Sequence, residues 1–174
     1  YYLNQNHLLL LDYNHHLKND VRAFVEATKS TVVMLDMYAC GSLSYFCSKF
    51  IGEKYHRGSL TCETADSFIH LLGASSSMYS PIPNNEFAMS SAGFLAKRFK
   101  SNIGLSISGI RSFPDRDDNI TGKVFLGYSF YGKESVKQLE CSGTEAVCVK
   151  QLVNGVFGYL KLMFENFISE KKGD

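Results

Sequence analysis

Residues 105–110, with the sequence Leu-Ser-Ile-Ser-Gly-Ile, most constrain how this chain can fold. A short run with β-branched residues that ends in Ser-Gly is typical of a buried strand, and it brings a hydroxyl and a pliable backbone to the strand's carboxyl end. A polar loop with Pro114 and a second apolar run, residues 122–128, predict a neighbouring strand. Because open α/β sheets bind ligands at the carboxyl ends of their strands, we expect a functional site beside Ser108.

Helical and strand periodicities alternate through the rest of the chain. The predicted helices cover residues 14–28, 41–52, 63–72, 84–100 and a final segment after Thr144. The predicted strands cover residues 31–35, 57–62, 103–108, 124–131 and 136–141. The last two strands are separated by Gly132-Lys133-Glu134, which predicts an antiparallel hairpin.

This order of elements predicts an α/β fold, namely a single three-layer α/β/α domain with a mixed sheet of about five strands and an antiparallel C-terminal hairpin. We assign residues 1–174 to one domain, with a core over 15–168 and flexible ends at 1–13 and 169–174. An apolar fraction of 45% is sufficient for one hydrophobic core in a chain of this length.

Charge and hydropathy exclude two classes of partner. The 18 basic and 17 acidic residues leave a net charge of +1, which provides no field to attract a polyanion, so we expect no nucleic-acid partner. The longest strongly aliphatic run, residues 8–11, is far shorter than the roughly 20 residues of a membrane-spanning helix, so we expect no membrane partner.

The cysteines and histidines indicate neither a metal centre nor a disulfide framework. Five cysteines form no Cys-x-x-Cys pair and cannot all be paired, which favours a reducing cytoplasm. The five histidines are scattered, and no His/Asp/Glu set has ligand spacing. We expect neither a metal nor another cofactor.

Residues 99–110 carry a resemblance to the C-terminal domain of the CinA family. They match that family's helix end, third strand and Ser/Thr-Gly-Ile corner without a gap. The run Gly122-Lys123-Val124-Phe125 is similar to the family's Gly-Thr-Val-Trp strand, and Glu140-Cys141-Ser142-Gly143 likewise precedes the last helix. The resemblance spans about residues 15–168. It implies the family's α/β fold, hydrolysis of the amide of nicotinamide mononucleotide (NMN), and possible assembly into a homo-oligomer.

The chain departs from this family at several motif positions. Residues 36–41 are Asp-Met-Tyr-Ala-Cys-Gly where the family has Glu-Ser-Cys-Thr-Gly-Gly, and residues 61–67 lack the tyrosine and lysine of the corresponding family motif. Glu145 occupies the position of an arginine that the resemblance implies would pair with a phosphate. Because catalytic groups act as a unit, we expect deamidation to be weakened or lost.

Three residues are candidates for any remaining catalysis. Ser108 would hold the substrate, and a replacement carboxylate, Asp36 or Glu63, would orient the attacking water. Each of these carboxylates could equally serve as a helix cap or lie in solvent.

Four residues are candidates for binding an anion such as the phosphate of a small nucleotide ligand. Gly41 and Ser42 open a predicted helix whose first N–H groups lack intrahelical acceptors, and Gly109 offers a backbone N–H at the strand end. Arg111 could bind the anion together with Arg116. Alternatively, both arginines could lie in solvent and neutralise the charge of the aspartates in their loop.

Cys40 and Cys62 lie near the two altered motifs and leave two interpretations open. They could provide a thiolate nucleophile or a redox pair, or they could be small hydrophobic residues of the interior.

Two functions therefore compete: a divergent amidohydrolase with weakened or lost activity, and a noncatalytic nucleotide-binding or protein-interaction domain. Both require that the segments around residues 36 and 108 leave neighbouring strands of one sheet side by side. A pocket lined by Asp36, Gly41, Ser108 and Arg111 would indicate a ligand site. A cleft filled by Met37, Tyr38 and Phe113 would argue against one.

Overall fold

The computed structural model describes residues 14–78, 80 and 82–172. The predicted flexible end at 1–13 lies outside the described residues, as do the last two residues of the end at 169–174. The helices are α1 (His15–Thr28), α2 (Ser42–Ile51), α3 (Ala65–Leu72), α4 (Asn85–Arg98) and α5 (Glu145–Lys172). The strands are β1 (Val32–Asp36), β2 (His56–Thr61), β3 (Ile103–Arg111), β4 (Asn119–Phe130) and β5 (Lys133–Thr144). None of the helices described is both long enough and apolar enough to span a bilayer.

The strands form one mixed sheet in the order β2-β1-β3-β4-β5. Strand β1 pairs in parallel with both β2 and β3, whereas β3, β4 and β5 pair antiparallel. Asp36, the last residue of β1, pairs with Ile107 of β3. The prediction that the segments around residues 36 and 108 leave adjacent strands is therefore confirmed.

Helices cover both faces of this sheet, which confirms the three-layer α/β/α prediction. Helices α1, α2 and α5 share one core with the sheet, in which Phe50 stacks on Phe157 at 4.2 Å between ring centroids. Helices α3 and α4 cover the opposite face, where Phe68 contacts the ring of Phe87 edge-on. All five residues of β1 are buried, as expected for a strand covered on both faces.

The C-terminal hairpin is longer than predicted, and its turn lies earlier in the chain. Phe130 pairs with Lys133, so Tyr131 and Gly132 alone form the turn and Lys133-Glu134 belong to β5. Both turn residues have positive φ, 49° and 82°, which matches a two-residue type I′ loop. Helix α5 continues to Lys172, four residues past the predicted core boundary at 168.

Helix α4 packs unusually close to the sheet because two strand residues opposite it are glycines. A Cβ on Gly104 would overlap the carbonyl oxygen of Ala92, and one on Gly127 would overlap that of Ala88. A buried hydrogen bond of 2.7 Å between the hydroxyls of Ser91 and Ser106 joins the same surfaces. This contact fixes the distance between the middle of α4 and the first half of β3.

Gly104→Ala is expected to destabilise the protein by about 1–3 kcal/mol, because the added methyl group has to push α4 away from β3. Gly158→Ala on α5 is the matched control, since a Cβ there meets no described atom within 4 Å. That change should raise stability by about 0.5–1 kcal/mol through helix propensity. Urea denaturation measures both, and an equal effect of the two substitutions would contradict the close contact of α4 with the sheet.

Candidate functional site

A cleft with two lobes lies at the carboxyl ends of β1, β2 and β3. The first, which we call the Arg111 lobe, has a volume of about 680 Å³, and the second, the Ser108 lobe, about 460 Å³. The Arg111 lobe is lined by Asp36, Met37, Tyr38, Cys40, Thr61, Cys62, Glu63, Gly109 and Arg111. The Ser108 lobe is lined by Met37, Glu63, Thr64, Ala65, Asp66, Ser80, Pro83, Phe87, Ser108 and Gly109. The lobes share three residues and therefore adjoin.

Asp36 lies at the base of the Arg111 lobe and is completely buried. Its Oδ1 accepts the backbone N–H groups of Tyr38 at 3.0 Å and Ala39 at 2.7 Å. Its Oδ2 accepts those of Gly41 at 2.9 Å and Leu43 at 3.3 Å. The carboxyl group of Asp36 thus binds the loop that follows β1 and the first turn of α2.

The left-handed conformations of Cys40 and Gly41 direct these N–H groups toward Asp36. Their φ values are 51° and 88°, and the second is one that glycine adopts without steric cost. Ser42 donates its own N–H to the carbonyl of Ala39 at 2.9 Å. The N–H groups of Gly41 and Ser42, which the sequence offers to an external anion, are therefore already bonded within the protein.

Burial raises the pKa of the Asp36 carboxyl above its ordinary value, and the four N–H donors oppose this shift because they favour the carboxylate. A base that removes a proton needs an accessible lone pair directed at the substrate. All four described donors instead fill the acceptor positions of Asp36, so the geometry favours a structural role for this residue.

Ser108 lies at the end of β3 and is 1% exposed. Its hydroxyl has no hydrogen-bond partner among the residues that the structure describes. Buried hydroxyls are normally hydrogen-bonded, so an unpartnered one that lines a cavity indicates a position where a ligand could bind. Among the described residues, therefore, no histidine, lysine or carboxylate forms the hydrogen bond to this hydroxyl that a general base would need.

Glu63 and Gly109 line both lobes. Glu63 is exposed and lies just before α3, where its carboxylate can reach a ligand or water in either lobe. Gly109 provides space for Tyr38, since a Cβ at this position would lie 2.7 Å from the Tyr38 ring. Its packing role is thus clear from the structure.

Tyr38 crosses the sheet over Gly109 and Gly122, and its hydroxyl lies 3.3 Å from the Cys141 thiol. Burial and this contact raise the pKa of Tyr38 well above its ordinary value, so the phenol stays protonated at neutral pH. Sequence reasoning did not identify this placement as part of the site. A large aromatic residue in the loop, with glycines two residues apart in the register of the adjacent strands β3 and β4, was the available signal.

Arg111 ends β3, and its Nη1 lies 3.7 Å from Oε1 of Glu145 at the start of α5. Arg111 also lines an outer cavity of about 540 Å³, whose other charged residues are Lys123 and Glu140. Arg116 is exposed in the β3–β4 loop and lines none of these three cavities. The structure therefore brings Arg111, but not Arg116, to the cleft.

Cys40 and Cys62 both line the Arg111 lobe, Cys40 exposed and Cys62 buried. Burial raises the pKa of the Cys62 thiol, which disfavours the reactive thiolate. No group of three or more His, Cys, Asp or Glu side chains within the described ranges is arranged to hold a metal ion.

The cleft combines features of both arrangements considered from the sequence. Asp36 and Arg111 line one lobe and Ser108 the adjoining one, whereas Gly41 lines neither. Met37 and Tyr38 do contribute to the walls, but space remains beside them. Phe113 is 95% exposed and lines neither lobe. Asp66, in the first turn of α3, is a further acidic residue of the Ser108 lobe that the sequence analysis did not select.

Solved structures with the same fold belong to the CinA superfamily. A CinA superfamily protein from Klebsiella pneumoniae matches with a TM-score of 0.70 and 12% identity, over 87% of this chain and 98% of that one. A competence or damage-inducible protein from Enterobacter asburiae matches with a TM-score of 0.68 and 12% identity, over 85% and 96%. A CinA superfamily protein from Escherichia coli gives 0.60 and 13%, over 94% and 99%.

At this level of identity the likeness shows the fold, and the resemblance noted from the sequence is confirmed at that level. No protein-family model matches the sequence, and no curated protein matches it.

Asp36→Asn is expected to destabilise the protein by at least about 2 kcal/mol, because the amide nitrogen would face two buried N–H donors and leave them unsatisfied. Guanidinium denaturation measures the loss, and amide hydrogen exchange should show reduced protection between Tyr38 and Leu43. Asp117→Asn, in the exposed β3–β4 loop, is the control and should change stability by less than about 0.5 kcal/mol. Equal stability of the two variants would refute the structural role of Asp36.

Proposed function

We propose that this protein is a divergent CinA-type domain, related to nicotinamide-nucleotide amidohydrolases, in which the cleft binds a small nucleotide while deamidation is weakened or lost. The nucleotide with the best chemical fit is NMN, which carries a phosphate at one end and a cationic pyridinium ring with a carboxamide at the other.

The uneven distribution of charged residues between the two lobes is the observation that carries this proposal: Arg111 lines only the first lobe and Asp66 only the second, whereas Glu63 lines both. The Arg111 lobe has a guanidinium at its edge, and arginine binds phosphate through two parallel hydrogen bonds. The Ser108 lobe is lined by Glu63, by Ser108 and by Asp66, whose Oδ1 lies 3.5 Å from Nε2 of His70. A ligand with a phosphate in the first lobe and a cationic ring in the second would satisfy both.

The weakened catalysis is supported by what surrounds the candidate groups. Amide hydrolysis needs an activated nucleophile or water and a proton donor for the departing nitrogen. Ser108 lacks a base among the described residues, and the acceptor positions of Asp36 are filled by backbone N–H groups. Glu63 is the one predicted carboxylate left to orient water. Since a positioned acid or base contributes about 10²- to 10⁴-fold, binding with little or no turnover is the outcome that this geometry favours.

Arg111→Ala should weaken NMN binding by about 10-fold or more, because the phosphate loses a charge-assisted contact. Isothermal titration calorimetry measures the dissociation constant. Arg116→Ala removes the same charge from an exposed position in the adjoining loop and should change it by less than about twofold. If both arginine variants bind NMN as tightly as the wild type, the phosphate does not bind at Arg111.

Ser108→Ala should leave stability unchanged or slightly higher, since the hydroxyl removed has no partner within the described chain. It should weaken NMN binding, because the ligand loses a hydrogen bond in the Ser108 lobe. Thermal unfolding with and without NMN separates the two effects.

Ammonia release from NMN, followed with enzyme and substrate at equal concentration, tests the chemical part of the proposal. Little or no release by the wild-type protein is expected. Release that approaches one ammonia per NMN and that Ser108→Ala abolishes would show that an active amidohydrolase site remains.

A further inference from the structure

Arg111 sits between the cleft and the outer cavity with an acidic neighbour. Its Nη1 is 3.7 Å from Oε1 of Glu145, and the two side chains are 43% and 39% exposed. The guanidinium lines both cavities. A ligand that enters the Arg111 lobe therefore meets a guanidinium whose charge is already partly neutralised.

We propose that Glu145 is a specificity-determining residue, a carboxylate fixed to the protein that competes with the ligand's phosphate for Arg111. This inference rests on the proposed function and specifies which residue sets the phosphate affinity of the same site. At 3.7 Å the pair is an ion pair rather than a close two-pronged hydrogen bond, so the guanidinium can still turn toward a phosphate. Exposed pairs of this kind are weak, and Glu145 therefore lowers phosphate affinity without abolishing it.

The backbone position of Glu145 places its side chain within reach of Arg111. Strand β5 ends at Thr144 and α5 begins at Glu145, so the backbone at this corner belongs to two regular elements. A negative charge in the first turn of a helix is also favoured by the helix dipole, independently of Arg111. A ligand phosphate therefore competes with a carboxylate whose attachment point lies beside Arg111.

The consequence is a reduced preference for phosphorylated over unphosphorylated ligands. Glu145 opposes only the part of a ligand that approaches Arg111, so a nucleoside that ends at the ribose should bind independently of it. Glu145 lines neither lobe, so its effect on a ligand depends on its contact with Arg111.

Glu145→Gln tests this inference, with Glu140→Gln as the matched control. Glu140 carries the same charge and lines the outer cavity, but it lies opposite Lys123 in the sheet register. Titration calorimetry with NMN, nicotinamide riboside and inorganic pyrophosphate distinguishes a phosphate effect from a general charge effect. We expect Glu145→Gln to bind NMN and pyrophosphate about two- to fivefold more tightly and the riboside unchanged, and Glu140→Gln to show less than half that gain.

The double variant Arg111→Ala/Glu145→Gln shows whether the gain depends on Arg111. It should bind NMN and pyrophosphate no more tightly than Arg111→Ala alone, because there is no guanidinium left to compete for. An equal gain in the presence and absence of Arg111, or equal gains in the two glutamate variants, would overturn the competition.

The probes also separate this inference from the proposed function. If NMN binds no variant while pyrophosphate shows the gain at Glu145, the nucleotide assignment fails and the role of Glu145 stands. If NMN binds the wild type but Glu145→Gln leaves its affinity unchanged, the competition fails and the nucleotide site stands. If neither probe binds any variant, both are wrong.

Discussion

The buried carboxyl group of Asp36 organises the loop on which the geometry of the cleft depends. It accepts four backbone N–H groups from one short segment, and these bonds offset the free energy of removing a polar group from water. Met37 and Tyr38, which line the cleft, belong to the same segment. Asp36, at the end of β1, therefore positions the wall that Met37 contributes to both lobes and Tyr38 to the Arg111 lobe.

This arrangement also determines where the cleft is positive. The start of α2 would ordinarily attract an anion, but Asp36 already occupies its N–H groups. The remaining positive group of the Arg111 lobe is Arg111 itself, on the end of β3 and beside Glu145. The electrostatic character of this cleft thus comes from side chains at the ends of strands rather than from a helix terminus.

Residues with a local signal were well predicted from the sequence. The helix predicted from residue 84 is α4, which Asn84 caps by accepting the Phe87 N–H at 2.8 Å, and the apolar runs that became β1 and β3 lie side by side as expected. The length of the hairpin was underestimated because the residue pairs at its outer end are mostly polar and exposed. Backbone pairing continues there beyond the apolar pattern. The turn was misplaced since Tyr131, rather than a typical turn former, has a left-handed conformation.

The location of the candidate site was predicted from the sequence, but the hydrogen bonds and ion pairs of its side chains were not. Ser108, Glu63 and Arg111 do reach the cleft. A helix cap was one of the roles that the sequence left open for Asp36, but its four bonds depend on the left-handed conformation of Cys40, which composition and periodicity do not report. The pairing of Arg111 with Glu145 joins residues distant in the sequence and follows only from the corner between β5 and α5.

The contact of Tyr38 with Gly109 and Gly122 limits the order in which this sequence could have diverged. Any side chain at residue 109 or 122 would overlap the aromatic ring, so both positions had to be free of a Cβ before tyrosine could be accommodated. Reversal is equally restricted, because a larger residue on either strand is tolerated only after the ring has been lost. The three positions are therefore coupled, but loss of the ring would open space only at residue 122, because a Cβ at residue 109 would still lie 2.6 Å from the Lys123 carbonyl oxygen.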